Sequence, residues 1–359
     1  MFEQHFGLTK RPFNGPAEGA DVFIGPQTAN LIGKAKKVFT YPDSAVCVSG
    51  PIGSGKTTLV GRTLSALERQ HTIIRIGRIK LGPDEVLDYL LRELGLQQMP
   101  AGTIQKITVF RSILKKLEDS DIRLFVVVED ADRLGNVALQ ELEALTASDS
   151  GVSEGANLVL MSENPLRPAM QAPGLKRLEQ RSRLHYALSP MNAAEVRGYV
   201  THCLRQAGGN LSGILTDDAV LAVHALSEGI SRVINNLLGS ALESAADKGM
   251  QRLDATELAR IASVEFGIEV DASSAGMVTD SDTAEQDQSA EEPPTSEAPE
   301  PVVAAEPTPP AAAKTSPAAT ADNPIPTGSP VPELIQDTMP EFAALDSGEH
   351  AIPDLIQDT

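Results

Sequence analysis

"GPIGSGKT", residues 50–57, is the stretch that decides the fold of this chain. It fits the pattern G-x-x-x-x-G-K-[ST], whose glycines let the backbone wrap a phosphate so that successive N–H groups point at its negative charge. An apolar run precedes it, and a helical pattern, "KTTLVGRTLSALERQ", follows it. The order strand, loop, helix predicts a phosphate-binding loop made of Gly50, Pro51, Ile52, Gly53, Ser54, Gly55, Lys56, Thr57 and Thr58.

The residues that end this pattern predict its ligand. Lys56 would reach the β and γ phosphates of ATP, and the Thr57 hydroxyl would join the ligand shell of a Mg²⁺ ion. A glycine-rich turn with an ordinary surface lysine is the alternative. ATP and Mg²⁺ are therefore the predicted cofactors.

Five apolar runs surround this loop between about residues 44 and 190. Their hydrophobicity is continuous rather than alternating, which is typical of strands covered on both faces, so we expect a largely parallel sheet with helices on either side. This is an α/β architecture. The predicted strands are "AVCVSG", "TIIRIG", "IRLFVVVED", "NLVLMS" and "RLHYALS".

Helical patterns fill most of the remaining sequence up to residue 266. Between the second and third runs, "PDEVLDYLLRELGL" and "TIQKITVFRSILKKLEDS" have apolar residues at i, i+3, i+4 spacing, so they should be helices that cover the sheet. From Asn192 to Phe266 the pattern is wholly helical, and three of its helices begin with capping-type residues, Asn192, Thr216 and Ser231. A small all-helical domain should therefore follow the sheet domain.

The third apolar run ends on two neighbouring acids, in "VVVEDADRL" at residues 126–134. In P-loop enzymes an acid at the end of a neighbouring strand receives the Mg²⁺ shell, and a further acid can orient the attacking water. Glu129 would take the first role and Asp130 the second. The commoner order is Asp then Glu, and a shift of about one methylene can lower a rate roughly 100-fold, so we expect slow hydrolysis. Two alternatives stay open: a shifted register with Asp130 at the metal and Glu129 on the sheet's other side, or a merely solvated strand end.

The acidic charge of the chain is concentrated at its end. The formal net charge is -19, and residues 267–359 hold 19 acids and one base, which leaves 30 acids and 29 bases before them. This region is rich in Pro, Ala, Glu, Ser and Thr, a composition that buries too little apolar surface to offset the entropy of ordering. We expect disorder beyond about residue 270. The near-neutral body argues against nucleic acid as a partner.

Several other classes of protein are disfavoured by the composition. Cys47 and Cys203 lie in apolar stretches, which favours reduced core thiols over a disulfide or a metal site. No stretch approaches the roughly 18 apolar residues of a membrane span, and the start, "MFEQHFGLTKRPF", is not a signal peptide. We therefore expect a cytoplasmic protein.

Four features, in this order along the chain, resemble the ExeA/GspA-like secretion ATPases of the AAA+ superfamily. They are "HFGLTKRPF" at the start, the loop at 50–57, the acidic strand end, and "GISRVINNLLGSALESAADKG" near residue 240. The likeness covers about residues 1–266 and implies a P-loop NTPase of the AAA+ type that forms a homo-oligomer. Relatives serve pilus biogenesis and exopolysaccharide systems.

The resemblance implies further catalytic residues. Arg232 matches the family's sensor-2 arginine, which would reach from the helical domain to the γ-phosphate, and its fixed fork of donors suits phosphate. An arginine that pairs with an acid at a helix start is the alternative. The polar sensor-1 residue would be Asn164 or Ser162. Arg181 best matches the arginine that such enzymes project into the next subunit's nucleotide, with ordinary solvated bases in "LKRLEQRSRLHY" as the alternative.

The start of the chain resembles the segment that packs near the adenine in this family. Aromatic and aliphatic contacts suit the face of a base, but an N-terminal plug of a core would need the same residues. Phe13 is the residue that we place at the base. The segment's other members are Phe6, Gly7, Leu8 and Pro12.

A short motif is repeated in the acidic tail. "VPELIQDT" at 331–338 returns as "IPDLIQDT" at 352–359, with six of eight positions identical, and a weaker copy, "MPEFAALD", lies between them. Leu334, Ile335, Leu355 and Ile356 would supply apolar anchors for a protein partner, and two weak sites on one flexible chain gain avidity. A duplication remnant without a partner is the alternative.

These observations divide the chain into four predicted parts: an AAA+ nucleotide-binding α/β domain (1–190), a helical lid domain (191–266), a disordered acidic linker (267–330) and the repeat-bearing tail (331–359). The predicted function is an ATP-binding, slowly hydrolysing switch that assembles with nucleotide and serves a secretion, pilus or cell-surface assembly system through its tail. Family members commonly continue into a membrane helix and a peptidoglycan-binding domain, which this sequence lacks, so recruitment to the inner membrane should pass through a partner. A transposition-type regulator of DNA transactions and a non-hydrolysing, nucleotide-locked scaffold are the alternatives.

Overall fold

The computed structural model describes residues 2–14, 22–77, 79–148 and 154–268. The predictions for the disordered linker and for both tail repeats, with Leu334, Ile335, Leu355 and Ile356, lie outside the described residues. None of the described helices is long and apolar enough to cross a membrane.

All five predicted strands are present, and they form one parallel sheet in the order β2-β3-β4-β1-β5. The three central strands, β3, β4 and β1, are buried along their whole length, whereas the edge strands β2 and β5 alternate in exposure. The predicted α/β class with a parallel sheet is therefore confirmed. The strands are β1 (Ala45–Ser49), β2 (His71–Ile76), β3 (Arg123–Val128), β4 (Asn157–Ser162) and β5 (Ser182–Ala187).

Apolar cores lie on both faces of this sheet. In β3, Val126 packs into one core and its neighbours Phe125 and Val127 pack into the other, because successive side chains of a strand point to opposite faces. The first core is covered mainly by α4 (Pro83–Glu93), α5 (Thr103–Asp119) and α7 (Asn136–Thr146), together with the short helices α6 (Ala131–Leu134), α8 (Arg167–Met170) and α9 (Lys176–Arg181). The second core is covered by α2 (Pro26–Val38) and α3 (Lys56–Ser65).

The helical domain has its own core, and the start of the chain belongs to it. Phe2 and Leu8 are buried against this core, and the His5 ring bonds the carbonyl oxygen of Met250 at 2.7 Å. The predicted division at residue 190 assigned these N-terminal residues to the sheet domain. The helices are α1 (Phe2–His5), α10 (Ala193–Gln206), α11 (Leu211–Ile214), α12 (Asp217–Ser227), α13 (Ser231–Asp247) and α14 (Ala255–Phe266).

The predicted helix caps are only partly present. The Asn192 side chain accepts the N–H of Glu195 and caps α10 as expected. Thr216 precedes α12 without a side-chain cap bond, and Ser231 is the first helical residue of α13 rather than its cap. The Ser231 hydroxyl forms its hydrogen bond elsewhere, at the loop of residues 50–57.

Candidate functional site

Two glycines give the loop at 50–57 its curl. Gly53 and Gly55 have φ of +83° and +93°, in the left-handed region that glycine enters without a steric penalty. The loop follows β1, and α3 begins within it, at Lys56. Because the first turn of a helix has unpaired N–H groups, this junction is suited to an anion.

Lys56 lies over its own loop. Its Nζ donates to the carbonyl oxygens of Gly50 at 2.8 Å and of Pro51 at 3.0 Å. Partial burial lowers the pKa of Lys56, and nearby carboxylates, of which Asp130 acts most strongly, oppose that shift. The ammonium group is therefore close to the acidic strand end that follows β3.

The two acids differ in backbone conformation. Glu129 continues the β3 ladder, since its N–H donates to the carbonyl oxygen of Ile76 at 2.8 Å. Asp130 then leaves the strand with φ of +51°, a left-handed conformation that Asp tolerates better than most other residues. The order Glu then Asp thus has a backbone reason. Among the carboxylates near Lys56, Asp130 opposes the lowering of the pKa of that ammonium most strongly, and Glu163 and Asp132 follow.

A cavity of about 650 Å³ joins the loop to the helical domain. Its size falls within the roughly 300–1,000 Å³ of small-molecule sites. Among the described residues that line it, the predicted ones are Phe13, Ile52, Gly53, Ser54, Gly55, Lys56, Thr57, Thr58, Glu129, Asp130 and Arg232. The structure therefore brings most of the predicted site together.

The first turn of α13 contacts the loop directly. The carbonyl oxygen of Gly53 accepts the Ser231 hydroxyl at 2.7 Å and the backbone N–H of Arg232 at 3.1 Å. The Arg232 side chain is exposed on the cavity wall, near enough to Lys56 to help lower the pKa of that ammonium. In the part of the chain that the structure describes, no carboxylate forms an ion pair with Arg232, which disfavours the acid-paired alternative.

The second turn of α13 lines the same cavity with amides. Asn235 accepts a hydrogen bond from the Tyr199 hydroxyl of α10 at 2.8 Å, and Asn236 also lines the wall. Burial raises the pKa of Tyr199. The motif "SRVINN" places polar side chains at i, i+1, i+4 and i+5, which is one face of a helix. That spacing was the signal for Ser231 and Asn235, which we did not predict as site residues.

Aromatic rings form another part of the cavity wall. Phe13 packs against the helical core and also lines the cavity, so both interpretations of this residue, core plug and base contact, describe its position. Phe23 lines the cavity as well and packs edge-on against Tyr199, with ring centroids 5.8 Å apart. A ring wall of this kind suits a nucleobase face. Phe23 was missed because it lies outside the quoted N-terminal motif.

The predicted sensor-1 residues do not reach the cavity. Ser162 is 1% exposed, and its hydroxyl donates to the carbonyl oxygen of Asn164 at 2.5 Å. Asn164 is exposed, and neither side chain is part of the described lining. The backbone at this strand end instead holds the loop, because the N–H of Gly50 donates to the carbonyl oxygens of Ser162 and Glu163 at 3.3 and 3.2 Å.

Arg181 does not point outward. Its side chain is only 9% exposed, and all three guanidinium nitrogens donate within the chain. The acceptors include the carbonyl oxygens of Asp43, Glu143, Thr146 and Ala156, at 2.7 to 3.1 Å. Carbonyl groups at the C-terminal end of a helix, here α7, attract a cation. The expectation that Arg181 reaches another subunit's nucleotide is therefore corrected: it ties α7 to the chain before β1 and β4.

Residues 40–170 match the protein family described as AAA domain. The matched range begins shortly before β1 and ends with α8. It therefore contains the loop at 50–57 and both acids of the strand end.

One relative confirms the resemblance to the secretion ATPases. General secretion pathway protein A of Aeromonas hydrophila is 26% identical over 254 residues, which are 70% of this chain and 46% of that protein. The chain thus spans less than half the length of this relative.

Solved structures with a similar fold share little sequence with the chain. The ORC2 protein of Aeropyrum pernix, solved as ADPNP-ADP complexes, has a TM-score of 0.54 at 14% identity and matches 71% of this chain and 72% of its own. Cdc6p from Pyrobaculum aerophilum has a TM-score of 0.56 at 13% identity, with 71% and 70% covered. The chain therefore matches an AAA domain over residues 40–170, has a parallel-sheet fold like those of ORC2 and Cdc6p, and over 70% of its length is similar to General secretion pathway protein A.

Proposed function

We propose that the chain binds Mg-ATP and hydrolyses it slowly, as a switch whose two domains both contact the nucleotide. The observation that carries this proposal is the single cavity onto which Lys56 and Asp130 of the sheet domain and Arg232 of the helical domain converge. Cations suit the triphosphate, and carboxylates suit its metal ion. The AAA domain match and the ADPNP and ADP bound by the similar ORC2 structure support the proposal.

The oxygen donors at the cavity suit a magnesium ion whose other ligands are the phosphates of the nucleotide. Thr57, Glu129 and Asp130 offer hard oxygen donors at one cavity, while no group of three or more His, Cys, Asp or Glu in the described ranges could hold a metal alone. Mg²⁺ usually takes one or two protein carboxylates together with substrate phosphates. When bound, the ion would neutralise charge that develops on the phosphates.

Within this scheme each side chain has a distinct task. Lys56 binds the β and γ phosphates from the loop, and Arg232 binds the γ end from the helical domain. Asp130, the carboxylate with the strongest effect on Lys56, receives the metal shell, while Glu129 orients the attacking water. This exchanges the two roles that the sequence favoured. It shares with the open alternative only the placement of Asp130 at the metal, because Glu129 also lines the cavity.

The name of the Aeromonas relative points to a secretion pathway, and we extend that role to this chain as a proposal. In it the protein assembles as a homo-oligomer in the cytoplasm, and the tail repeats dock a protein partner that brings it to the inner membrane. Arg177 and Arg183, exposed neighbours of Arg181, are the candidates for a contact with the next subunit's nucleotide.

Binding by the Lys56→Ala protein tests the premise. We expect its affinity for a fluorescent ATP analogue to fall at least about 30-fold, because a charge-assisted contact to phosphate is lost. Lys37→Ala, on the exposed side of α2, is the matched control and should bind like the wild type. Equal affinity of the Lys56→Ala and wild-type proteins would refute nucleotide binding at this loop.

Phosphate release separates the remaining alternatives. Asp130→Asn keeps a residue that tolerates φ > 0, so it tests the carboxylate and not the backbone. Loss of Mg²⁺-dependent nucleotide affinity in Asp130→Asn but not in Glu129→Gln supports the assignment above, and the reverse result restores the first one. A wild type that binds ATP without releasing phosphate is the nucleotide-locked scaffold. Salt-sensitive DNA binding would instead favour the DNA-transaction alternative.

A further inference from the structure

The loop and the helical domain meet at backbone distance. A Cβ placed on Gly53 would lie 2.8 Å from the Cβ of Arg232 and 3.3 Å from the Cγ2 of Ile230. These contacts leave no room for a side chain between the loop and the first turn of α13. The position of that turn is therefore set by the loop itself.

Two more glycines make the same kind of contact nearby. A Cβ on Gly50 would lie 2.6 Å from the carbonyl oxygen of Leu188, which is the residue after β5. A Cβ on Gly229 would lie 2.0 Å from the carbonyl oxygen of Met191, whose N–H donates to the Gly229 carbonyl at 3.0 Å. The loop, the chain that enters the helical domain and the chain that enters α13 are thus packed backbone against backbone.

One side-chain hydrogen bond joins this junction across the domains. Helical hydroxyls such as those of Thr63 and Thr201 donate to a carbonyl four residues back in their own helix. Ser231 instead donates to Gly53, 178 residues away. The cap position of α13 is Ile230, which forms no side-chain cap bond. Ser231 therefore stands at the start of a helix, but its hydroxyl binds the loop at 50–57.

We propose that Ser231 is a positioning residue that aims Arg232 at the γ-phosphate by fixing the first turn of α13 to the loop. The inference rests on the proposed function. The Ser231 hydroxyl and the Arg232 N–H share one acceptor, so removal of the hydroxyl leaves the turn that carries the guanidinium held by one backbone hydrogen bond in place of two hydrogen bonds. In that variant the nucleotide must order the first turn of α13 when it binds. The free-energy cost of this ordering, which the hydrogen bond offsets in the wild type, then weakens nucleotide binding.

A double-mutant cycle tests this inference in the full-length chain. The dissociation constant of a fluorescent, non-hydrolysable ATP analogue is measured for the wild type, Ser231→Ala, Arg232→Ala and the double variant. We expect Ser231→Ala to weaken binding about fivefold in the wild-type background and not at all in the Arg232→Ala background, because positioning requires the residue that is positioned. Equal weakening in both backgrounds, or none in the wild type, overturns the proposal.

Two further variants separate positioning from general stability. Ser231→Thr keeps the hydroxyl and should restore the wild-type dissociation constant, whereas a purely steric role would be disturbed by the added methyl group. Ser240→Ala, about two and a half turns further along α13, is the control and should leave binding unchanged.

Hydrogen exchange tests the same inference in proteins that keep the hydroxyl, so it does not depend on the folding of Ser231→Ala. In the wild type and in Ser231→Thr, the analogue should slow exchange of the segment 229–238 as well as of the loop. Protection of the loop without the segment overturns the inference and leaves nucleotide binding intact. If the wild-type loop gains no protection at all, the proposed function fails and the inference fails with it.

Discussion

Arg232 and Arg181 both match arginines that would face a nucleotide, yet the structure places them in opposite surroundings. Arg232 begins α13, is exposed on the cavity wall and pairs with no carboxylate among the described residues. Arg181 ends α9, is 9% exposed, and donates from every guanidinium nitrogen to its own chain. A motif match identifies a residue type, whereas the face of the helix decides what that residue contacts.

The face of α9 could have been inferred from spacing. Leu178 is buried at 1% exposure, and Arg181 follows it by three residues in the same helix. Residues at i and i+3 lie on the same helix face, so Arg181 points toward the core as Leu178 does. At the start of α13, by contrast, Ile234 follows Arg232 by only two residues and lies on a different face.

The largest effect is expected when the Arg181 side chain is removed. Arg181→Ala should lower the free energy of unfolding by about 3–5 kcal/mol, because it leaves several buried carbonyl groups without a donor. Denaturant unfolding measures the effect. Arg177→Ala, an exposed residue of the same helix, should change it by less than about 0.5 kcal/mol. If Arg181→Ala is as stable as the wild type and hydrolyses ATP more slowly only once it has assembled, Arg181 faces a nucleotide and the contrast with Arg232 is wrong.

Removal of Arg232 should produce the inverse pattern. We expect Arg232→Ala to lower the rate of phosphate release by about 10–100-fold, or about 1.4–2.8 kcal/mol, with the free energy of unfolding unchanged within about 0.5 kcal/mol. Single-turnover phosphate release and thermal unfolding are measured on the same samples. Arg232→Lys should recover only part of the rate, since it lacks the planar fork. Loss of stability without loss of rate would contradict the assignment.

Arg260 is the intermediate case, an exposed arginine with a carboxylate partner. Hydrogen bonds from Arg260 first, and then from Lys248, lower the pKa of Glu257 to about 2. Because the folded-state pKa is depressed, the stabilisation is present above the ordinary value of 4.5 and is lost as the pH falls toward 2. Glu257→Gln should therefore cost about 1–2 kcal/mol at neutral pH and flatten the acid dependence of unfolding between these values. An unchanged acid profile would show that the network contributes little.

Features that depend on local sequence were predictable, whereas features that depend on contacts between residues far apart in the chain were not. The strands β1, β3 and β4 were predictable because burial on both faces leaves a continuous apolar run, and the loop was predictable because its glycines meet a local backbone requirement. The left-handed backbone of Asp130 was not predictable from the residue type alone. The acceptor of the Ser231 hydroxyl was not predictable either, since that hydrogen bond forms only where the two domains meet. Local pattern fixes residue conformation better than it fixes partners.

The placement of Phe2 and Leu8 has a consequence for synthesis. Their core includes α13 and α14, so its most distant partners leave the ribosome more than 200 residues later, as the pairing of His5 with Met250 illustrates. The sheet, whose strands lie between those ends, can complete its own contacts first. A nascent chain halted after β5 would contain the sheet and the loop at 50–57 but not the helical domain. Phe2 and Leu8 would then be exposed, and exposed apolar side chains of this kind are what chaperones bind.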